Sequence, residues 1–281
     1  MSPIVHHPFE VHLGPLNLTG FGFAVFLGYA ISQIIAQHEL ERRGHASYAA
    51  VVPDLVLASV LGMLVGGKLY YVAVITHDWG DLISRSGFVF WGGLMGGVLF
   101  NYLWIHHKKL SFARFADTCG IAIAGGYPVG RTGCWAVGDD YGRPWDGFLA
   151  VQFPNGSPPS TAGIMSRLFG TPIPDGALPD TVLAVHPTQL YEVVLGFAVF
   201  YLLWRLRSHK HAEGWLFGLY CVLAGAERFL VEFFRAKDDR FFGSITAAQA
   251  IALVITLIGV AVMTARRDVG PGKPAIFADA A

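Results

Sequence analysis

Apolar residues in this chain fall in long unbroken runs, with polar residues confined to the stretches between them. Seven such runs stand out, at about 16–37, 52–75, 87–106, 112–130, 189–206, 215–234 and 245–265. About 20 apolar residues cross the hydrocarbon of a bilayer as a helix, whereas buried strands run to only about 4–8. The pattern predicts an all-α integral membrane protein with about seven transmembrane helices. Most connections are short, but the one between spans four and five covers approximately 131–188 and is rich in Pro and Gly through "FPNGSPPSTAG" and "TPIPDGALPD". A structureless loop of that length is uncommon unless it is functional. It is therefore read as an external loop lobe, with "IMSRLFG" as a short interfacial helix. No internal repeat and no soluble-domain boundary is visible, so residues 1–281 are taken as a single polytopic membrane domain.

Composition agrees with this reading. Of 281 residues, 53% are hydrophobic and only 14% charged, against about 25% charged in ordinary soluble domains. Twenty basic residues balance twenty acidic ones, so bulk charge gives no reason to expect a nucleic-acid partner. The first run has no preceding Lys or Arg and no small-x-small cleavage site, which favours a span over a signal peptide. Cys119, Cys134 and Cys221 show neither pairing nor CxxC spacing. No GxSxG, HExxH or P-loop pattern occurs, and His106–His107 and the "HKH" at 209–211 are read as solvated faces. Neither a metal nor a cofactor is expected.

Basic residues set an orientation. Arg42 and Arg43, Lys108, Lys109 and Arg114, Arg205, Arg207 and Lys210, and Arg266, Arg267 and Lys273 all lie on one side if the chain crosses seven times. By the positive-inside rule that side is the cytoplasm, with the N-terminus outside and the C-terminus inside. Lys68, Arg131, Glu192, Glu227, Arg228 and Glu232 then fall in the outer half of the membrane. Charge at that depth costs several kcal/mol and marks function.

Two stretches carry the chemistry. In "GAERFLVEFFRAKDDR" helical spacing puts Arg228, Glu232 and Arg235 on one face. This suits either an internal ion pair or an arginine held still by Glu232 to bind an anion through its planar fork. "GGYPVGRTGCWAVGDDYGRP", residues 125–144, adds Arg131, Arg143, Asp139 and Asp140 among glycines. Those glycines are expected to turn backbone N–H groups toward an anion, or else to form a tight re-entrant turn. The small-xxx-small spacing of Gly62 and Gly66, and of Gly92, Gly93, Gly96 and Gly97, is expected to serve helix packing.

These motifs resemble those of the prolipoprotein diacylglyceryl transferase family. "GRTGCWAVGDDYGRP" is similar to that family's GRxGNFxNGExxGRP, "VHPTQLYE" to HPSQLYE, "RFLVEFFRAKDD" to RFxxEFxRxPD, and "FVFWGGLMGG" to SFHGGLxGG, in the same order along the chain. The resemblance implies a bacterial inner-membrane enzyme that moves the diacylglyceryl group of phosphatidylglycerol to the lipobox cysteine of a prolipoprotein, releasing glycerol phosphate. It implies that Arg131 and Arg228 grip the phosphate, that Glu232 orients Arg228, and that Gly142 shapes the loop, with Arg143 and Arg235 also counted as phosphatidylglycerol-binding. Asp139 stands where the family commonly has Glu. Trp91 replaces a frequent histidine and is read as a cap on the lipid cavity. Phe21 and Ala224 replace tyrosines. Cys134 replaces an asparagine and is read as a small polar group in the turn, since the reacting thiol belongs to the substrate. His186, Asp139 and Asp140 are the candidate bases, His186 and Asp139 being preferred as catalytic. The rival readings are a non-catalytic or divergent lipid-binding homologue and, less well supported, a transporter.

Overall fold

A computed structural model describes residues 4–13, 16–84, 87, 89–172, 174–236, 240–242 and 245–269. Lys273, Phe88 and residues 237–239 of the quoted motifs lie outside the described residues. Every long apolar run contains a helix. These are α1 Gly20–Arg42, α3 Val52–Tyr70, α4 Phe90–His107, α5 Phe112–Val137, α7 Thr188–Leu206, α8 Trp215–Glu232 and α9 Ala247–Ala265, with the short α2 (Ala46–Ala49) and α6 (Ala162–Phe169) between them. A π-helical turn, Tyr71–Thr76, prolongs α3. Gly20–Arg42, Ala46–Thr76, Thr188–Leu206 and Ala247–Ala265 are long and apolar enough to cross a membrane. The protein is a mostly helical membrane protein.

Side-chain burial is inverted relative to a soluble fold. Phe23, Phe26, Leu57, Val98, Val194 and Leu257 are exposed on the helices, while Glu39, Arg43, Asp117, Glu192 and Glu232 are buried. With apolar residues facing outward, helices associate through small residues that let backbones meet. A methyl group added at Gly62 or Gly66 of α3 would strike the carbonyl oxygens of Gly96 and Gly92 on α4, so both glycine motifs serve packing as expected. Gly28 of α1 meets Gly126 of α5, Gly196 of α7 meets Pro128 of α5, and Gly218 of α8 meets Gly259 of α9.

Three boundaries differ from expectation. Residues 16–19 form strand β3 (Leu16–Thr19), paired antiparallel with β2 (Glu10–Leu13), and α1 begins only after Thr19, whose hydroxyl accepts the Gly22 N–H at 3.3 Å. At the start of α9 a reciprocal capping box joins Thr246 and Gln249. The largest difference concerns α5, which runs through Arg131 to Val137 instead of stopping at Gly130. Gly125, Gly126 and Gly133 are therefore not a cradle of upturned N–H groups. They are contact points, facing Ile35 and Phe200, Ser32 and Gly28, and Phe21 and Ala24 respectively. Of the glycines in 125–144 only Gly138, at φ 68°, takes the left-handed conformation, and it ends the helix.

Residues between α5 and α7 form an ordered structure, not a bare loop. Strands β1 (Ile4–Val5), β4 (Val151–Gln152) and β5 (Ala184–Val185) make a small sheet in the order β1-β4-β5. It covers a core of Tyr141, Val151, Phe153, Met165, Val185 and Ala236. The helix expected at "IMSRLFG" is present as α6. These strands modify the all-α expectation without changing the fold class.

At the opposite end of α5 from Arg131 lies a second ionic cluster. Glu39 accepts bonds from Arg42 (2.6 and 2.8 Å) and from Arg43 (2.9 Å). Asp117 lies 3.8 Å from Arg43 and 3.5 Å from His209, and accepts the Phe217 N–H at 2.9 Å. The solvated reading of 209–211 fails for His209, whose side chain is buried against Trp215 and Asp117. His106 and His107 are exposed, as expected.

The glycine seam between α3 and α4 has a measurable consequence. Gly66→Val should push the two helices apart and lower Tm in detergent, overpacking of this kind costing about 1–3 kcal/mol. Leu257→Ala, on an exposed face of α9, should leave Tm nearly unchanged in the same thermal-shift measurement.

Candidate functional site

The C-terminal turns of α5, the first turn of α7 and the last turn of α8 converge beside residues 138–144. There Arg131, Arg228 and Arg235 meet Asp140, Glu192 and Glu232. Arg131 Nη1 donates to Asp140 at 2.8 Å, and its Nη2 pairs with Glu192. Arg235 Nη2 donates to the other Asp140 oxygen at 2.5 Å and lies with Nη1 3.8 Å from Glu192. Arg228 pairs with Glu232 at 2.6 Å and sits 3.6 Å from Glu192. Glu232 also approaches Arg235 Nε at 3.8 Å. The spacing of Arg228, Glu232 and Arg235 on one helical face is thus realised.

Backbone geometry places Asp140. Its φ of 60° is left-handed, a region that Asp tolerates better than most residues. Thr188 Oγ1 donates to its carbonyl at 2.7 Å, which ties the turn to the start of α7. Burial alone would raise the Asp140 carboxyl, but Arg235 and Arg131 outweigh it and hold the group below the usual carboxylate range. Asp139 behaves oppositely, pushed up by burial and then by the Asp140 charge. Its carboxylate accepts the Asp140 N–H at 2.7 Å, and its carbonyl accepts from Gln189 at 2.6 Å. The arginine partner in this pair of aspartates is Asp140.

Other singled-out residues frame the cluster. Gly142 donates its N–H to the His186 carbonyl at 2.8 Å, and a Cβ there would strike the Phe234 carbonyl, His186 and Thr188, so only glycine fits. Arg143 donates from Nε to the Arg235 carbonyl at 2.8 Å, and its backbone N–H to Phe234 at 2.8 Å. His186 stacks on Trp145 with ring centroids 4.4 Å apart, and its Nδ1 lies 3.1 Å from the Tyr191 hydroxyl. Burial lowers its pKa, which favours the neutral ring. With Trp145, Tyr191, Leu230 and Phe234 it lines an apolar groove of about 480 Å³ between α7 and α8. Cys134 is buried, and its Sγ accepts from Arg131 Nη1 at 3.3 Å. Trp91 lies 41% exposed in the first turn of α4, the helix seated on α3. Lys68 serves its own loop, donating to the Asp81 carbonyl at 2.9 Å and to Ser84 at 2.8 Å.

Chemically, the cluster suits an anion. Arg131 Nε, Arg228 Nη1 and Arg235 Nε are buried and make no hydrogen bond with any described residue. Arg228 is the most open of the three, its side chain 33% exposed. Guanidinium groups held by carboxylates at fixed angles present their remaining donors as a pre-organised fork for a phosphate. Glu192 and Asp140 complete this frame, although neither stands out from spacing alone. Glu192 was signalled as a carboxylate inside an apolar run and as the last residue of "VHPTQLYE".

The chain is similar to known proteins over most of its length. A family model described as prolipoprotein diacylglyceryl transferase matches residues 8–265. The phosphatidylglycerol–prolipoprotein diacylglyceryl transferase of Geobacter sulfurreducens is 30% identical over 277 residues, covering 94% of this chain and 97% of the relative. That of Bordetella bronchiseptica is 30% identical over 275 residues, covering 92% and 95%. The protein of the same name from Clostridium tetani is 28% identical over 276 residues, covering 95% and 98%.

Asp140 links the cluster to acid stability. A carboxyl whose folded pKa is depressed contributes stability that is present above its unfolded pKa of about 3.9 and is lost as pH falls through the folded value. Asp140→Asn should therefore destabilise the protein at pH 7, by up to about 3 kcal/mol for a broken partly buried pair, and so lower its Tm. The gap between the variant and the parent should narrow once the pH is brought below about 4. Thermal melts of both proteins at pH 7 and pH 3 test this, and an equal gap at both would refute it.

Proposed function

Because the chain belongs to the prolipoprotein diacylglyceryl transferase family, we propose that it transfers the diacylglyceryl group of phosphatidylglycerol to the lipobox cysteine of a prolipoprotein. The observation that carries this reading to specific residues is the set of unspent guanidinium donors on Arg131, Arg228 and Arg235. In an apolar surround such donors neutralise a phosphodiester far better than they do in water. The substrate sulfur attacks the glyceryl carbon that bears the phosphate, a C–S bond forms, and the C–O bond breaks. Glycerol phosphate leaves with its growing charge met by the arginines. Glu232 holds Arg228, Asp140 holds Arg131 and Arg235, and Gly142 lets residues 138–144 close on the end of α8. The groove beside His186 and Tyr191 suits an apolar chain entering between α7 and α8 from the bilayer.

The same proposal includes the membrane arrangement. The long helices form one polytopic domain crossing the bacterial cytoplasmic membrane seven times, with residues 138–187 as an external lobe. The C-termini of α1, α4, α7 and α9 carry the basic residues, and Arg42 donates to the Arg207 carbonyl at 3.3 Å, which gathers them at one end. The positive-inside rule assigns that end to the cytoplasm. The arginine cluster then faces outward, where lipoprotein precursors emerge, with the N-terminus outside and the C-terminus inside.

Purified protein, phosphatidylglycerol and a lipobox peptide, read by mass spectrometry, test the reaction. A diacylglyceryl increment on the peptide cysteine is expected, and its absence with intact, folded protein refutes the assignment. Arg131→Lys and Arg228→Lys should each reduce transfer at least about 100-fold, since lysine keeps the charge but loses the fork. Cys134→Asn should retain substantial activity, because an amide oxygen can accept the Arg131 bond. No lipid adduct should form on Cys134.

Orientation is tested separately. An impermeant thiol reagent on intact cells should label Ser157→Cys and spare Ser208→Cys, both positions being exposed. The reverse pattern would place the cluster on the cytoplasmic face.

A further inference from the structure

One buried carboxylate plays no part in the frame described above. Glu227 on α8 is 8% exposed, and its Oε1 is fully buried without a hydrogen-bond partner. Among the described residues it makes no ion pair, whereas Asp140, Glu192 and Glu232 are all committed to arginines. An unpartnered carboxylate within an apolar segment costs several kcal/mol and has no packing rationale.

Helix geometry shows where it points. Gly120 of α5 meets Phe217 and Tyr220, so that face of α8 is turned toward α5. Ala224 and Glu227 follow at seven-residue spacing and share the face. Ala224 contributes only a methyl group to that face. The charges acting on Glu227 are Arg131 of α5 and Arg228 of its own helix, and it in turn acts on Tyr127 of α5 and Tyr220. The neighbouring α7 brings Glu192, already paired, and α9 carries no titratable side chain. Glu227 thus lies within the field of the two arginines assigned to the phosphate without being consumed by either.

We propose that Glu227 is the general base of the reaction, taking the proton of the acceptor thiol as its sulfur attacks. This rests on the transferase reading. The S–H proton passes to the Glu227 carboxylate and the C–S bond forms. The C–O electron pair departs on glycerol phosphate, whose dianion or a water then takes the proton from Glu227 and resets it. No oxidant or further reactant is required. A cysteine thiol with a pKa near 8.5 is only a few per cent ionised at neutral pH, and a positioned base accelerates such steps about 10²–10⁴-fold.

The test uses the full-length protein in phosphatidylglycerol nanodiscs with a lipobox peptide, comparing parent, Glu227→Gln and Glu227→Asp from pH 6 to pH 9.5. Glu227→Gln should lower kcat about 100-fold at pH 7 with KM for the lipid unchanged. The deficit should shrink above about pH 8.5, where solution supplies the thiolate. Glu227→Asp, which keeps a carboxylate, should recover part of the pH 7 rate. A Gln variant as fast as the parent at pH 7 overturns the assignment. So does one equally impaired at every pH, or one that loses lipid affinity together with rate. If the parent itself transfers nothing, the transferase reading fails and takes this role with it, an outcome distinct from an active parent with an indifferent Glu227.

Discussion

Pairing of ionised side chains away from water is the constraint on which this architecture turns. Three guanidinium groups, on Arg131, Arg228 and Arg235, face three carboxylates, on Asp140, Glu192 and Glu232. Each member taken alone would carry a desolvation cost of several kcal/mol, and only the assembled set offsets it. The six residues come from α5, from the turn after it, and from the ends of α7 and α8. Meeting their mutual demand therefore fixes how those elements approach one another. It also leaves a formally neutral frame with three buried guanidinium nitrogens, Arg131 Nε, Arg228 Nη1 and Arg235 Nε, that bond to no described residue. The site is the structural solution and the chemical instrument at once.

Around that frame the packing follows the logic of a lipid solvent. Large apolar side chains point outward, and glycine and alanine line the contacts between helices. Backbone meets backbone at Gly62 and Gly96, at Gly28 and Gly126, and at Gly218 and Gly259. Gly120 of α5 likewise lies against Phe217 and Tyr220 of α8, so these two helices also pack closely. A bidentate grip on a phosphate requires well-placed donors. The small sheet over residues 138–187 covers the same end and buries Tyr141, whose hydroxyl donates to the Pro158 and Pro159 carbonyls at 3.0 Å.

Much of this was legible in the chain because the bilayer imposes a length. Each apolar run contains a helix in the structure. What the periodicity could not reveal were features decided by tertiary partners. Thr19 ends a strand and caps α1, which no run of apolar residues records. Arg131 lies inside α5 rather than after it, because the glycines before it are spent on helix contacts instead of on turns. Asp140 rather than Asp139 takes the arginines, a choice made by one left-handed residue. His209 is drawn out of solvent by Asp117, which lies far away in the chain. Local pattern identified the elements and the candidate charges, while three-dimensional proximity decided which charges belong to one another.

The two ionic clusters also differ in how they can come into being. At one end Glu39 finds Arg42 and Arg43 within about one turn of α1, so its partners are local to that helix. Glu192 has no such companion nearby on α7. Its partners arrive on α5 and α8, the second of which is synthesised later. Until α8 docks, α7 resides in the bilayer with a carboxylate only half answered. Docking of α8 against α7 and completion of the arginine–carboxylate cluster are therefore one event, since Glu192 is shared between Arg131 of α5 and Arg228 of α8.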